Sequence, residues 1–115
     1  LTAAGIADDA VISVSDGARL VLPDGCAVSN LAVDRDAGGG TLVNFNPGAE
    51  GALYVTGGTG SARGPLPVML EDPVSTDIGR WKVYVDGNLN ENVAAAVIDG
   101  RLYVVNAVGL IITVK

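Results

Sequence analysis

The stretch RLVLPDGCAVSNLAVDRDAGGGTLVNFNPGAEGALYV, residues 19–55, places a leucine at every eleventh position: Leu20, Leu31, Leu42 and Leu53. Five residues after each leucine stands a glycine or another turn-forming residue: Gly25, Asp36, Pro47 and Gly58. The apolar runs around the leucines suit the length of a strand and are too short for a helix. A constant step with turns in phase predicts either the stacked parallel rungs of a β-solenoid or a meander of short antiparallel strands.

The composition favours strands over helices along the whole chain of 115 residues. Hydrophobic residues make up 49% of the chain but aromatic residues only 4%, and the 16 glycines are about twice the usual share. Many β-branched residues and glycines, with few Lys and Glu, are typical of strands joined by tight turns. We therefore predict an all-β fold, and the length suits a single domain over residues 1–115.

The leucine step stops before Gly64, where the next leucine is due, and a stretch rich in glycine and proline, GGTGSARGPLP, surrounds that point. Further on, Asp99-Gly100 between two apolar runs is a strong hairpin signal, because both central residues of a type I′ turn need a positive φ. We predict three parts: repeat-like β-solenoid or β-helix-like rungs in 1–58, with strands from about residue 10, a loop-rich connection over 59–80, and an antiparallel β-meander over 81–115. The meander would cap the last open coil, whose edges otherwise recruit other chains. A compact β-sandwich is the alternative architecture.

The chain lacks the residues that most enzymes use. It has no histidine and one cysteine, so it cannot form a Ser-His or Cys-His pair, a His-ligated zinc site or a thiolate metal site. Carboxylate chemistry remains, and a carboxylate-dependent hydrolase fragment is the weakest of three functional interpretations. We predict a non-enzymatic protein without a cofactor. The formal charge of −6 argues against nucleic acid as a partner, and no apolar run reaches the roughly 18 residues of a membrane span.

Asp34 and Asp36 precede three glycines, an arrangement that can begin a calcium loop. With Asp34 as position 1 of such a loop, the ligand positions 5 and 12 are taken by Gly38 and Phe45, which offer no side-chain oxygen. A polar turn between strands is therefore favoured. Asp34 and Asp36 stay the candidate metal residues, and they need further ligands from a neighbouring coil.

Four large rings are the candidate ligand-binding residues: Trp81, Tyr54, Tyr84 and Tyr103. Such rings stack on sugar faces or anchor interfaces. Trp81 and Tyr84 have opposite parity along one strand and should point to opposite faces. Tyr54 and Tyr84 lie between apolar neighbours and should face outward if those neighbours face the core. Cross-strand pairing of aromatic residues within a sheet is the alternative explanation.

Strands of the form Gly-x-Leu-x-Val, the rung NLAVD at residues 30–34 and the closing sequences WKVYVDG, VIDGRLYVVN and GLIITVK carry a resemblance. Together they resemble the C-terminal strand-repeat regions, of the β-helix or autotransporter-like passenger kind, of large bacterial surface proteins. The resemblance implies an extracellular or cell-surface location and a structural or adhesive role. The expected partners are the rest of a larger parent chain and either a glycan or further copies paired through strand edges. The alternative function is a carbohydrate-binding β-sandwich module appended to an extracellular enzyme.

Overall fold

The computed structural model describes residues 11–14, 17–23, 25, 27–36, 38–58 and 63–106. Within these residues every regular element is a strand, and there is no helix that could cross a membrane. The ten strands are β1 (Ile12–Ser13), β2 (Arg19–Val21), β3 (Val28–Asp34), β4 (Gly40–Val43), β5 (Pro47–Thr56), β6 (Gly64–Glu71), β7 (Lys82–Val85), β8 (Asn88–Leu89), β9 (Val93–Ile98) and β10 (Arg101–Asn106). The predicted all-β fold is confirmed.

The strands form two mixed sheets of five, and the chain alternates between the sheets from β1 to β7. The first sheet has the order β1-β3-β5-β7-β8 and the second has the order β2-β4-β6-β10-β9. Strands β1, β3, β5 and β7 pair in parallel, as do β2, β4 and β6. Strands β8, β9 and β10 are added in antiparallel pairs. One circuit of the chain through both sheets therefore consists of two successive strands: β1 with β2, β3 with β4, or β5 with β6.

The leucine step of the sequence sets the register of both sheets. Leu31 pairs with Leu53 in the first sheet, and Leu20 pairs with Leu42 in the second, so that each pair is 22 residues apart. Successive leucines therefore lie in alternate sheets, and two 11-residue steps make one circuit. Because side chains alternate along a strand, every leucine of the series can point to the same side of its sheet.

The hydrophobic core lies between the two sheets and draws on both. The first sheet contributes Val28, Leu31, Val33, Leu53, Val55 and Val83, and the second contributes Leu42, Leu66, Val68, Leu70, Ala95, Leu102 and Val104. Phe45, Ile78 and Trp81 extend this core. Among the described residues no polar or charged residue is buried, and no buried side-chain nitrogen or oxygen lacks a hydrogen-bond partner.

Strand β6 differs from the predicted loop-rich connection over 59–80, because it occupies Gly64–Glu71 in the middle of that range. Leu42 pairs with Leu70, so the circuit that ends in β6 takes 28 residues and not 22, yet the register is kept. Prolines at 65 and 67 made a strand unexpected. Strand β6 pairs with β4 only from Val68 onward, so the prolines at 65 and 67 have no strand on that side to which an N–H would donate.

The C-terminal part forms two hairpins and not one meander. Strand β7 pairs in parallel with β5 and turns back into β8, whereas β9 and β10 form a hairpin in the second sheet. Both hairpins turn on Asp-Gly: Asp86 and Gly87 have φ of 50° and 87°, and Asp99 and Gly100 have φ of 50° and 75°. The hairpin predicted at Asp99-Gly100 is confirmed. The predicted strand at 110–114 lies outside the described residues.

Candidate functional site

The outer face of the first sheet carries a stacked tyrosine pair. Tyr54 on β5 and Tyr84 on β7 are register partners, their ring centroids are 5.1 Å apart and the rings are inclined by 21°. Leu53 and Val55 on either side of Tyr54 are buried, so the rings point away from the core, as their alternation predicts. Ala32 flanks Tyr54 and Leu89 flanks Tyr84 in the same cross-strand row. Each ring therefore covers part of one face of the other, and both tyrosines are half-buried.

Trp81 is a core residue in this structure. Only 3% of it is exposed, and it meets Phe45 edge to face with ring centroids 6.0 Å apart. Its indole N–H donates a hydrogen bond of 3.0 Å to the carbonyl oxygen of Gly48. Trp81 and Tyr84 do point to opposite faces, but the burial of Trp81 means that a ligand in solvent cannot stack on its ring.

Tyr103 lies apart from the other predicted aromatic residues. It sits on β10 in the second sheet, with Pro65 and Ala96 as register partners. Its neighbours Leu102 and Val104 are buried, so Tyr103 faces outward from that sheet. Of the four predicted rings the structure therefore brings together only Tyr54 and Tyr84.

Asp34 and Asp36 belong to a turn that is fastened to the next turn of the same sheet, 22 residues further on. Oδ1 of Asp34 accepts the backbone N–H of Asp36 at 2.9 Å, and Oδ1 of Asp36 accepts the N–H of Gly58 at 3.0 Å. Arg35 donates through Nε and Nη2 to the carbonyl oxygen of Gly57, at 3.0 and 2.7 Å. A Cβ on Gly57 would stand 2.6 Å from Asp34 Oδ1, so these two turns require glycine there.

This turn does not assemble a set of metal ligands in the part of the chain that the structure describes. No group of three or more His, Cys, Asp or Glu side chains that could hold an ion occurs among those residues. One oxygen of each carboxylate accepts a backbone N–H instead. The structure thus gives Asp34 and Asp36 a role in fixing the turn, and their role as metal residues stays a prediction.

A shallow groove crosses the outer face of the second sheet, and we call it the arginine groove. Its floor is a cross-strand row of four register partners, Arg19, Thr41, Met69 and Arg101, from β2, β4, β6 and β10. Gly38, Gly39, Gly40 and Pro67 line its side, and its volume is about 420 Å³. The sequence did not single out these residues. The 22-residue spacing of Arg19 and Thr41 could be recognised in the sequence. The place of Arg101 beside them depends on the antiparallel pairing of β10 with β6, which no repeat predicts.

Two guanidinium groups dominate the electrostatics of the arginine groove. Arg19 is exposed and forms an ion pair with Glu71, whose hydrogen bond and negative charge raise the pKa of Arg19 above its usual value. Arg101 is held by a hydrogen bond of 2.8 Å from its Nε to the carbonyl oxygen of Leu66. Among the residues that the structure describes, those that line the groove include no carboxylate, cysteine or histidine. The two guanidinium groups therefore suit the groove to binding an anion.

A second shallow depression, of about 370 Å³, lies at the β8 end of the first sheet and is lined by Lys82, Leu89, Asn90 and Glu91 among others. Its charged residues have opposite signs, so it has no clear electrostatic preference.

Comparisons of the chain with protein-family models, with curated proteins and with solved structures found no match.

Proposed function

We propose that this chain is a non-catalytic structural or adhesive module of a larger secreted or cell-surface bacterial protein, folded as a short two-sheet β-solenoid that two hairpins close at one end. The proposal draws on the resemblance of its strands to the strand-repeat regions of bacterial surface proteins. It also fits the arginine groove, whose guanidinium, hydroxyl and apolar groups are suited to binding.

The observation that carries the proposal is the 22-residue register. Leu31 and Leu53 are partners in one sheet, Leu20 and Leu42 are partners in the other, and the chain passes from sheet to sheet between them. In such an architecture each coil packs mainly on its neighbours, so that coils can be added without rebuilding the core. Turns stack in the same way, since Asp36 binds Gly58 and Asn44 binds Leu22, each across 22 residues. A module of this kind extends a scaffold.

The proposal can be tested by inserting a second copy of residues 31–52 directly after Ala52. If the fold is a solenoid, the added 22 residues form one more coil, and unfolding in urea stays cooperative. The denaturant dependence of unfolding, which scales with buried surface, should then rise by roughly a fifth. An insertion of residues 31–41 alone is the matched control, because half a circuit sends every later strand to the wrong sheet and should abolish cooperative folding. A 22-residue insertion that leaves the denaturant dependence unchanged would mean an unfolded loop and would contradict the solenoid.

The alternative, a carbohydrate-binding β-sandwich module beside an extracellular enzyme, is favoured by one feature, the open arginine groove on a sheet face. The duplication experiment separates the two architectures. A closed sandwich has no place in its sheets for an additional coil, so the same insertion should lower its stability.

A further inference from the structure

We propose that the arginine groove binds an acidic oligosaccharide, one whose sugar units carry carboxylates at intervals, as in a polyuronate. This inference deepens the adhesive part of the proposed function by naming a site and a ligand class. It rests on the placement of Arg19, Thr41, Met69 and Arg101 in one row across four strands.

The charges of the groove select an anion with separated negative groups. Arg19 and Arg101 stand three strand spacings apart, which places their backbones about 14 Å from each other. Arg19 pairs with Glu71 and Arg101 with the carbonyl oxygen of Leu66, five residues away on the same strand, so the two guanidinium groups are drawn toward opposite ends of β6. A guanidinium group binds a carboxylate through paired hydrogen bonds, so each arginine suits a carboxylate of its own. The chain as a whole carries a net charge of −6, so two arginines in one groove are a local exception to its acidic surface. A ligand with two carboxylates spaced along its length fits this pattern.

The floor and side of the groove suit a sugar chain. Met69, 43% exposed, and Pro67 offer apolar surface to the C–H face of a sugar ring, and Thr41 offers a hydroxyl between the arginines. Gly38, Gly39 and Gly40 keep the side of the groove free of side chains, which lets a ligand approach the backbone. A shallow, open groove receives an extended oligomer better than a small metabolite, since small-molecule sites bury most of their ligand.

The same geometry argues against an acidic peptide. Extended peptides gain affinity by adding a strand to an open sheet edge. The floor of the arginine groove crosses the face of the sheet, and β4, β6 and β10 are each paired on both sides. A peptide lying there would have to recover its backbone hydrogen bonds from side chains alone.

Glu71 has a specific consequence for this site. Its carboxylate already engages the guanidinium group of Arg19, as a carboxylate of the ligand would. The ligand must therefore compete with Glu71 or share the guanidinium with it. Removing the negative charge of Glu71 should strengthen binding, whereas removing either arginine should weaken it.

The test is titration calorimetry of the whole chain with pentagalacturonate at low ionic strength, where screening is weak. Arg19→Gln and Arg101→Gln should each lower the association constant by roughly tenfold, which is the size of a lost charge-assisted hydrogen bond. Glu71→Gln should raise it severalfold. Arg80→Gln, which makes the same charge change in an exposed loop residue outside the groove, should leave it unchanged.

Arg101 also donates a hydrogen bond to the carbonyl oxygen of Leu66, so weaker binding by Arg101→Gln has two explanations, a lost ligand contact or a disturbed fold. A second variant separates them. Met69→Glu changes an exposed side chain without removing a hydrogen bond and should abolish binding while leaving the unfolding midpoint in place. Four results would overturn the proposal: no saturable binding to the unmodified chain, equal binding of the methyl-esterified pentamer, equal binding of pentaglutamate, or an equal loss in Arg80→Gln. None of them would alter the outcome of the coil duplication, so failure here is distinguishable from failure of the solenoid.

Discussion

The indole ring of Trp81 lies against the backbone of Gly51 so closely that no side chain fits between them. A Cβ on Gly51 would stand 2.6 Å from Cε2 of the ring and 2.6 Å from the carbonyl oxygen of Ser29. Real Cβ atoms essentially never come that close to another heavy atom. Gly51 therefore sets the depth at which the tryptophan enters the core between the sheets.

Gly51→Ala should lower the free energy of unfolding by about 1–3 kcal/mol, the usual cost of overpacking a core. Urea denaturation followed by the fluorescence of Trp81 measures this directly. Gly79→Ala is the matched control, because a Cβ there meets nothing within 4 Å and the residue has no left-handed φ. Equal stability of the two variants would show that the indole can move away from Gly51 without cost.

The turn at Asp34–Asp36 makes a second prediction, about the fastening of successive turns. Asp36→Ala removes the acceptor of the Gly58 N–H and should cost about 1 kcal/mol in the free energy of unfolding. Asp77→Ala removes the same charge from an exposed residue, and its effect should stay within about 0.5 kcal/mol. If both variants lose the same amount, general charge effects and not the turn contact are responsible.

A third prediction concerns metal ions at the same turn. A bound ion stabilises the folded state in proportion to its occupancy, so a metal site is visible as a shift in melting temperature. If Asp34 and Asp36 serve only to fix the turn, neither EDTA nor added calcium should shift the melting temperature, since one oxygen of each carboxylate already accepts a backbone N–H. A rise with calcium that Asp34→Asn removes would restore the metal interpretation.

Asn44 gives a fourth prediction, because it ties three circuits of the chain together. Its side-chain amide donates to the carbonyl oxygen of Leu22 at 3.3 Å, its backbone N–H donates to the backbone carbonyl oxygen of Glu71 at 3.0 Å, and its φ is 63°. Asn44→Ala loses the side-chain bond and keeps a Cβ in the left-handed region without the short polar side chain that makes this φ tolerable for Asn, at a combined cost of about 2 kcal/mol. Asn44→Gly keeps the φ free of strain and should cost about 1 kcal/mol.

The decisive measurement is which of these two variants has the lower free energy of unfolding in urea. Asn92→Ala, at an exposed position, is the control. A glycine variant less stable than the alanine variant would mean that the left-handed backbone at residue 44 carries no strain.

The fifth prediction is that Tyr54 and Tyr84 are energetically coupled. A double-mutant cycle with Tyr54→Ala and Tyr84→Ala should give a coupling of about 0.5–1.5 kcal/mol, as expected for stacked rings. The same cycle between Tyr54 and Tyr103, which lie on different sheets, should be additive. Additivity in both cycles would mean that the stack contributes nothing beyond the burial of each ring.

The sequence predicted the strands and their leucine step, because both are local patterns of apolar residues and turns. It left open whether the strands pair in parallel, since one 11-residue step leads to the opposite sheet and the true repeat is two steps. The positions two residues after each leucine are Leu22, Val33, Asn44 and Val55, of which only Asn44 is polar. The structure gives the reason, because Asn44 has a left-handed φ. The sequence did not indicate strand β6, because residues 65 and 67 are prolines and lack the N–H groups that a strand donates. The loss matters little, because β4 pairs with β6 only beyond these two residues.

The similarity of two short segments was also a poor guide to the role of their glycines. Gly51-Ala-Leu-Tyr-Val and Gly100-Arg-Leu-Tyr-Val match in four of five places, yet the two glycines serve different needs. Gly51 makes room for an indole ring, whereas Gly100 supplies a positive φ in a hairpin. The arginine groove was out of reach for a related reason: Arg101 is distant in the chain from the other members of the row and joins them only through the antiparallel pairing of β10 with β6.

The Asp99-Gly100 hairpin also has a consequence for the order in which the molecule folds. Its strands meet across a two-residue turn, whereas each parallel pair must first close a loop of about one circuit, and longer loops cost more entropy to close. Contacts close in sequence form first, so we expect the nucleus at the β9–β10 hairpin. Folding should then proceed from the β9–β10 hairpin toward β1, each pair of finished strands serving as the template for the strands that precede it in the chain.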